Sequence, residues 1–221
     1  MPREEYQDRL EALREDVLYM GELVRDRLRL GLDALDRKDE AAAREVIEND
    51  DEINELYLAL ESDCVDLIAL QQPVAGDLRF IAASFKIITD LERIGDLAVN
   101  LGEYTLDAER DVYPDVDVNR IGAFAADAVA DAMAAYAEGD AAATREIAAR
   151  DDELDESCAD ASQTVVRGLL EHGTADDAEA LLAEASRLLL TIRDLERVGD
   201  HAVNVAARTL YMIEDDDELI Y

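Results

Sequence analysis

The sequence predicts an all-α protein built as two tandem, pseudo-symmetric three-helix bundles of six long helices, and three observations carry that prediction. The composition is rich in Ala, Leu, Asp, Glu and Arg, with only 3 Pro, 10 Gly, no Trp and 5% aromatic residues among 221, which favours helix over sheet. Apolar residues recur at steps of three and four through several long stretches, the period of one helical face. Finally, the stretch DLERIGDLAVN at residues 90–100 returns as DLERVGDHAVN at 194–204, identical at nine of eleven positions over a separation of 104 residues. A repeat of that quality implies duplication.

The first helix runs from about Glu4 to Arg37, with Leu10, Leu13, Val17, Met20, Val24, Leu28 and Leu35 on one face. A polar turn at Lys38 and Asp39 precedes a second helix, which continues to about Gln72 until Pro73 and Gly76 break it. The third runs from about Asp77 through the first copy of the motif to Arg110. Residues 111–119, with Pro114, are the expected linker. The fourth spans about 119–138, and Gly139 and Asp140 form the next turn. The fifth covers about 141–171 and is ended by His172, Gly173 and Thr174. The sixth spans about 176–212, and the tail EDDDELIY is expected to fray. The expected domains are residues 1–112 and 113–221, with the motif on the third helix of each. The second helices correspond as well: IENDDEIN at 47–54 aligns with AARDDELD at 148–155.

The formal net charge of -34 is extreme, and Lys38 and Lys86 are the only lysines. Such a charge repels itself in dilute buffer and is screened by concentrated salt, so a salt-rich, halophilic cytoplasm is the expected setting. The same charge argues against nucleic-acid binding. Cys64 and Cys158 are expected to be reduced, buried thiols. No apolar run reaches the length of about 20 residues needed to cross a bilayer.

Carboxylates recur at unexpected places in the apolar pattern. On the third helix the row Ile81, Phe85, Ile88, Glu92, Gly95, Val99, Gly102 and Leu106 is interrupted by Glu92. On the sixth, Ala185, Leu189, Ile192, Glu196, Gly199, Val203, Ala206 and Leu210 is interrupted by Glu196. Asp50 and Asp151 fall on the equivalent rows of the second and fifth helices. A carboxylate turned toward a bundle interior is costly unless it is protonated, paired or bound to a cation. Glu92 with Asp96, and Glu196 with Asp200, stand one helical turn apart. Joined by Asp50 and Asn54, or by Asp151 and Asp155, each pair would form an oxygen-rich cluster suited to a divalent or trivalent cation. Neutralisation by Arg93, Arg197 or an arginine of the first or fourth helix is the alternative, as is a bundle end open to water. His201 replaces Leu97 of the first repeat and is read as an interior or interface residue rather than a ligand. No catalytic constellation appears.

Taken together, NDDEIN at 49–54, QQPVAGDLR at 71–79 and the two DLERxGD segments resemble the PhoU family across essentially the whole chain. The resemblance implies a cytoplasmic, usually homodimeric double bundle without enzymatic activity. It also implies a negative regulator of phosphate uptake and phosphate-starvation signalling, acting by contact with the phosphate ABC transporter ATPase and, where present, a sensor histidine kinase. Attachment to a membrane would be through the partner. The family's E/DxxxD motifs, which in some members hold iron, zinc or other metals, carry over to Glu92 with Asp96, Glu196 with Asp200, and Asp151 with Asp155. Iron or zinc are the expected ions, ahead of magnesium or manganese. Asn54 departs from the pattern where the second repeat has Asp155, so the first site is expected to bind metal less well. The second repeat has HGTADDAEA where the first has QPVAGDLR. A helical carboxylate metal-storage protein or metalloenzyme is the alternative reading.

Overall fold

The computed structural model describes residues 3–70, 73–108, 116–172 and 178–220. Its helices, in chain order, are α1 (Arg3–Arg37), α2 (Glu40–Glu48), α3 (Asp50–Leu70), α4 (Ala75–Leu106), α5 (Val118–Glu138), α6 (Ala141–His172) and α7 (Ala178–Glu214). These make six rods, because α2 and α3 continue one another across an interruption at Asn49. The Asn49 carboxamide donates to the Glu45 carbonyl at 2.8 Å, a local bond that competes with the helical ladder. Arg27 of α1 braces the break, donating to the Glu45 carbonyl and to Glu52, each at 3.3 Å. In the second repeat Arg150 stands at the equivalent position, and α6 runs through without interruption.

Helix starts follow from capping chemistry. Asp39 accepts from the amides of Ala41 and Ala42, and Asp140, its counterpart, from those of Ala142 and Ala143. Gly139 ends α5 at φ 67°, in the left-handed region. Gln71, Gln72, Arg110, residues 111–115 of the expected linker with Pro114, Gly173 and Thr174 lie outside the described residues, as does the His172 side chain, while the last two residues expected in the linker, Val118 and Asn119, already belong to α5. Among the described residues of the tail, 214–220, the expected fraying is not found. Arg145 at the start of α6 grips Glu214 at 2.8 Å, Asp216 at 3.2 Å and Glu218 at 2.5 Å, folding the end of the chain back on the bundle.

The α1, α2–α3 and α4 rods pack together, as do α5, α6 and α7, and the two groups join along α4 with α7 and α1 with α5. One continuous core runs through both, from Leu13, Val17 and Met20 through Ile88, Leu91 and Ile94 to Leu195, Val198 and Ala202. Cys64 and Cys158 are buried within it. Because α4 and α7 are covered by three neighbours each, their buried face is wider than a single seam. Its centre follows Leu91, Ile94, Ala98 and Leu101 on α4, and the row containing Glu92 lies at its edge.

Gly102 sits where α4 meets α2. A Cβ built there lies 2.9 Å from the Ala43 carbonyl oxygen, a backbone atom that has no rotamer to retreat into. Gly102→Ala is expected to lower stability by about 1–2 kcal/mol, overpacking outweighing the gain in helix propensity. Gly76→Ala, where nothing lies within 4 Å, is expected to leave stability unchanged or raise it by up to about 1 kcal/mol. Denaturant midpoints in concentrated KCl distinguish the two.

Candidate metal centre

The two acidic sites lie in the grooves between α3 and α4 and between α6 and α7. In the second repeat, Asp151 and Asp155 are one turn apart on α6 and face Asp200 of α7. Carboxylate oxygens of the three lie within 4.8 Å of one another. Gly199 permits this approach, since a Cβ there would press on the Leu154 side chain and stand 3.4 Å from Asp151 Oδ1. Asp151 is half-buried, whereas Asp155 and Asp200 are exposed. Burial, followed by the charges of Asp155, Asp200, Asp152 and Glu196, pushes the Asp151 carboxyl up to about 6. Glu196 and Asp200 are raised as well, first by burial and then by Asp155. Glu196 therefore feels the cluster electrostatically although it stands outside the group of three.

The first repeat assembles the same positions differently. Arg93 lies over its acids, 3.4 Å from Glu92 and 3.3 Å from Asp96. Asn54 donates to Asp50 at 2.7 Å, satisfying an oxygen that a cation would otherwise claim. Burial still raises Glu92 and Asp96, with Arg93 opposing the rise. Among the described residues the first repeat yields no group of three convergent carboxylates. Arg197, the counterpart of Arg93, turns instead toward Asp194 at 3.8 Å. The donor set of the second repeat thus fits a hard or borderline cation through Asp151, Asp155 and Asp200. The first repeat has already met much of its charge internally.

Among the described residues the acid buried most completely is Asp194, at 0% exposure, which the periodicity of α7 does not single out. Its carboxylate accepts from Asn100 Nδ2 at 2.9 Å and Tyr104 OH at 2.7 Å, both on α4, and from Arg193 Nε at 3.0 Å and Nη2 at 2.7 Å. The mirror arrangement stands at the other end of the same interface. Asp90 Oδ1 of α4 lies 2.9 Å from His201 Nδ1 and accepts from Asn204 Nδ2 at 3.2 Å. The repeated eleven residues therefore begin and end on residues that bind each other across the repeats: Asp90 with Asn204, and Asp194 with Asn100. His201 is an interface residue, as the sequence suggested. The sequence signal for this clasp was present in the unbroken repetition of those end residues.

Comparison with known proteins agrees with this architecture. The PhoU domain model matches residues 17–105 and again 118–209. A phosphate-specific transport system accessory protein PhoU homolog of Pseudomonas aeruginosa is 31% identical over 97% of this chain and 87% of its own. PhoU homolog 1 of Methanothermobacter thermautotrophicus is 34% identical over 96% and 95%. The crystal structure of PhoU from Pseudomonas aeruginosa superposes with a TM-score of 0.89 at 30% identity, covering 96% of this chain and 100% of that one. The phosphate transport system regulatory protein PhoU from Streptococcus pneumoniae gives 0.87 at 25% identity, with coverages of 96% and 98%. With two matched segments spanning most of its length and an all-helical fold shared with solved members, the chain belongs to the PhoU family.

Proposed function

We propose that the protein regulates phosphate transport as a non-enzymatic accessory factor, restraining phosphate uptake and phosphate-starvation signalling through contact with the transporter ATPase. The two relatives and the Streptococcus pneumoniae structure compared above are named accessory or regulatory proteins. The observation that carries the reading is the pair of duplicated acidic motifs within a match that covers nearly the whole chain. The two repeats, residues 1–112 and 113–221, act as its domains. The protein works in the cytoplasm as a homodimer and meets the membrane only through its partner. Among the described residues no helix is long and apolar enough to cross a bilayer.

Exposed aliphatic side chains support a protein contact. Val65 on α3 and Val166 on α6 occupy equivalent positions and are 54% and 47% exposed; Leu78 on α4 and Leu182 on α7, also equivalent, are 43% and 56% exposed. On a chain of net charge -34, exposed aliphatic side chains suit a partner whose apolar surface is ringed by basic residues. A sensor histidine kinase is a further partner of the same kind.

The second-repeat carboxylates hold a divalent or trivalent ion, iron or zinc ahead of manganese or magnesium. The ion would supply positive charge that cancels the repulsion among Asp151, Asp155 and Asp200 and ties α6 to α7. Protein purified from its own host in concentrated salt without tags or chelators is expected to contain about one equivalent of metal. Less than about 0.2 equivalents, with no uptake on titration, defeats this part of the reading. The three converging carboxylates favour metal storage as the second reading, and iron-dependent redox turnover would support it. Deleting the gene is expected to raise phosphate uptake and phosphatase expression under replete phosphate. Unchanged uptake and expression in a strain without a second copy of the family refute the regulatory assignment.

A further inference from the structure

We propose that each repeat positions the acidic site of the other, and that Asp90 of the first repeat fixes where Asp200 of the second stands. The proposal rests on the metal reading of the Asp151, Asp155 and Asp200 group and goes beyond it by naming a positioning residue outside that group.

The two ends of the repeated stretch carry the contacts between the repeats. Asp90 precedes Glu92 by two residues and contacts His201, the neighbour of Asp200, and Asn204, one turn beyond Asp200. Asp194 precedes Glu196 by two residues and contacts Asn100, one turn beyond Asp96. The two clasps stand ten residues apart on each helix, about 15 Å along the axis at 1.5 Å per residue. Each acidic pair lies between them on α4 or α7, turned toward α3 or α6, while the clasp holds the face turned toward the other repeat.

Exposure makes this bracing matter for the second site. Asp200 and Asp155 are exposed, so packing around their own carboxylates does little to fix them. The position of Asp200 relative to Asp151 and Asp155 on α6 depends on how α7 is rotated about its axis. His201 is next in sequence, about 100° round the helix, and its ring is 17% exposed against an Asp90 carboxylate that is 16% exposed. A rotation of α7 by about 20° at a side-chain radius of about 6 Å displaces a carboxylate oxygen by about 2 Å. That is close to a full metal–oxygen bond length, so a small loss of grip undoes the site. Partners that orient first ligands through hydrogen bonds typically change metal affinity by about 10- to 100-fold when removed.

The test is a Mn2+ titration of the full chain, followed by electron paramagnetic resonance in concentrated KCl, in an Asp50→Asn background that weakens the first-repeat site. Asp90→Ala is expected to raise the Mn2+ dissociation constant about tenfold. Asp90→Asn, whose Oδ1 still accepts from Asn204 and the imidazole, is expected to stay within about threefold. Asn204→Ala, which removes one of the two contacts to Asp90 from the other side and leaves His201 in place, is expected to weaken binding in the same direction by a smaller factor and serves if Asp90→Ala fails to fold. Circular dichroism at the titration temperature establishes that each variant is folded. A purely structural role would lower the melting temperature while the folded variants bind Mn2+ as the parent does, and that result overturns the proposal. Equal losses for Asp90→Ala and Asp90→Asn also overturn it, because charge rather than grip would then matter. A parent that binds neither Mn2+ nor Zn2+ removes the metal reading itself and this proposal with it, an outcome distinct from failure of the Asp90 variants alone.

Discussion

Asp194→Ala is expected to lower the unfolding free energy by about 3 kcal/mol, several times the cost of the equivalent Asp90→Ala change. Asp194 is fully buried and accepts hydrogen bonds from Asn100, Tyr104 and Arg193. Bonds to a charged acceptor contribute about 1.5–3 kcal/mol each when lost singly, and removing the acceptor leaves the donors of Asn100 and Tyr104 without it. The desolvation of the carboxylate is recovered at the same time, which is why the expected loss is far below the sum of the bonds. Asp90 keeps partial access to water and two partners, so about 1 kcal/mol is expected there. Tyr104 provides an independent reading. Burial, then the hydrogen bond and charge of Asp194, push its hydroxyl up to about 12. In Asp194→Ala the tyrosinate absorbance should appear at lower pH, though only part of the way down, since burial is the larger cause. A variant as stable as the parent, with Tyr104 titrating unchanged, would show that the clasp contributes nothing.

That clasp was only half legible in the sequence. Helix existence and approximate limits followed from the spacing of residues such as Leu13, Val17, Met20 and Val24, because an amphipathic helix records its buried face locally. The break at Asn49 did not, since the competing bond from its side chain to the Glu45 carbonyl leaves the apolar period of α2 and α3 intact. Nor did the docking of the tail, which depends on Arg145, about 70 residues away in the chain. Glu92 and Glu196 were found because each interrupts an apolar row, yet a single-seam reading placed them too deep. α4 and α7 are covered by three neighbours, and their buried arc is wider than one row. Asp90 and Asp194 fell on another face and so went unmarked. Their partners lie at the opposite end of the other repeat, and antiparallel pairing of two copies of one motif is a tertiary fact. The inequality of the sites was legible in Asn54 against Asp155, but the part played by Arg93 was not, because Arg197 occupies the same motif position and turns to Asp194 instead.

Asp151→Asn is expected to invert the relation between metal and stability. In the metal-free protein the Asp151 carboxyl is raised from 3.8 to about 6, by burial first and then by the neighbouring carboxylates. A folded-state value above the unfolded one means that the unfolded chain ionises more readily. Stability is therefore fully present below about pH 4 and is lost as pH rises through about 6. A rise of that size is worth about 3 kcal/mol in a fully buried site. With Asp155 and Asp200 exposed, solvent screening reduces it to about 1–2 kcal/mol. The asparagine removes that penalty, so in chelator at pH 7.5 the variant should be more stable than the parent by about 1–2 kcal/mol, and at pH 4 the two should converge. Adding Mn2+ reverses the order. A ligand held at a hundred times its dissociation constant stabilises the folded state by about 2.7 kcal/mol, a gain open to the parent and largely closed to a variant that has lost its half-buried carboxylate. Thermal melts at both pH values, with and without Mn2+, test this directly, all in concentrated KCl so that the overall charge of -34 does not mask the local effect. A variant less stable than the parent in chelator at pH 7.5 would mean that Asp151 is held by partners rather than opposed by neighbours. A parent whose melting temperature ignores Mn2+ would mean that the repulsion has no cation to relieve it. Crossing curves instead identify a folded protein that keeps three like charges together at a cost which only a cation removes, the physical requirement for a site whose occupancy can report on conditions outside the protein.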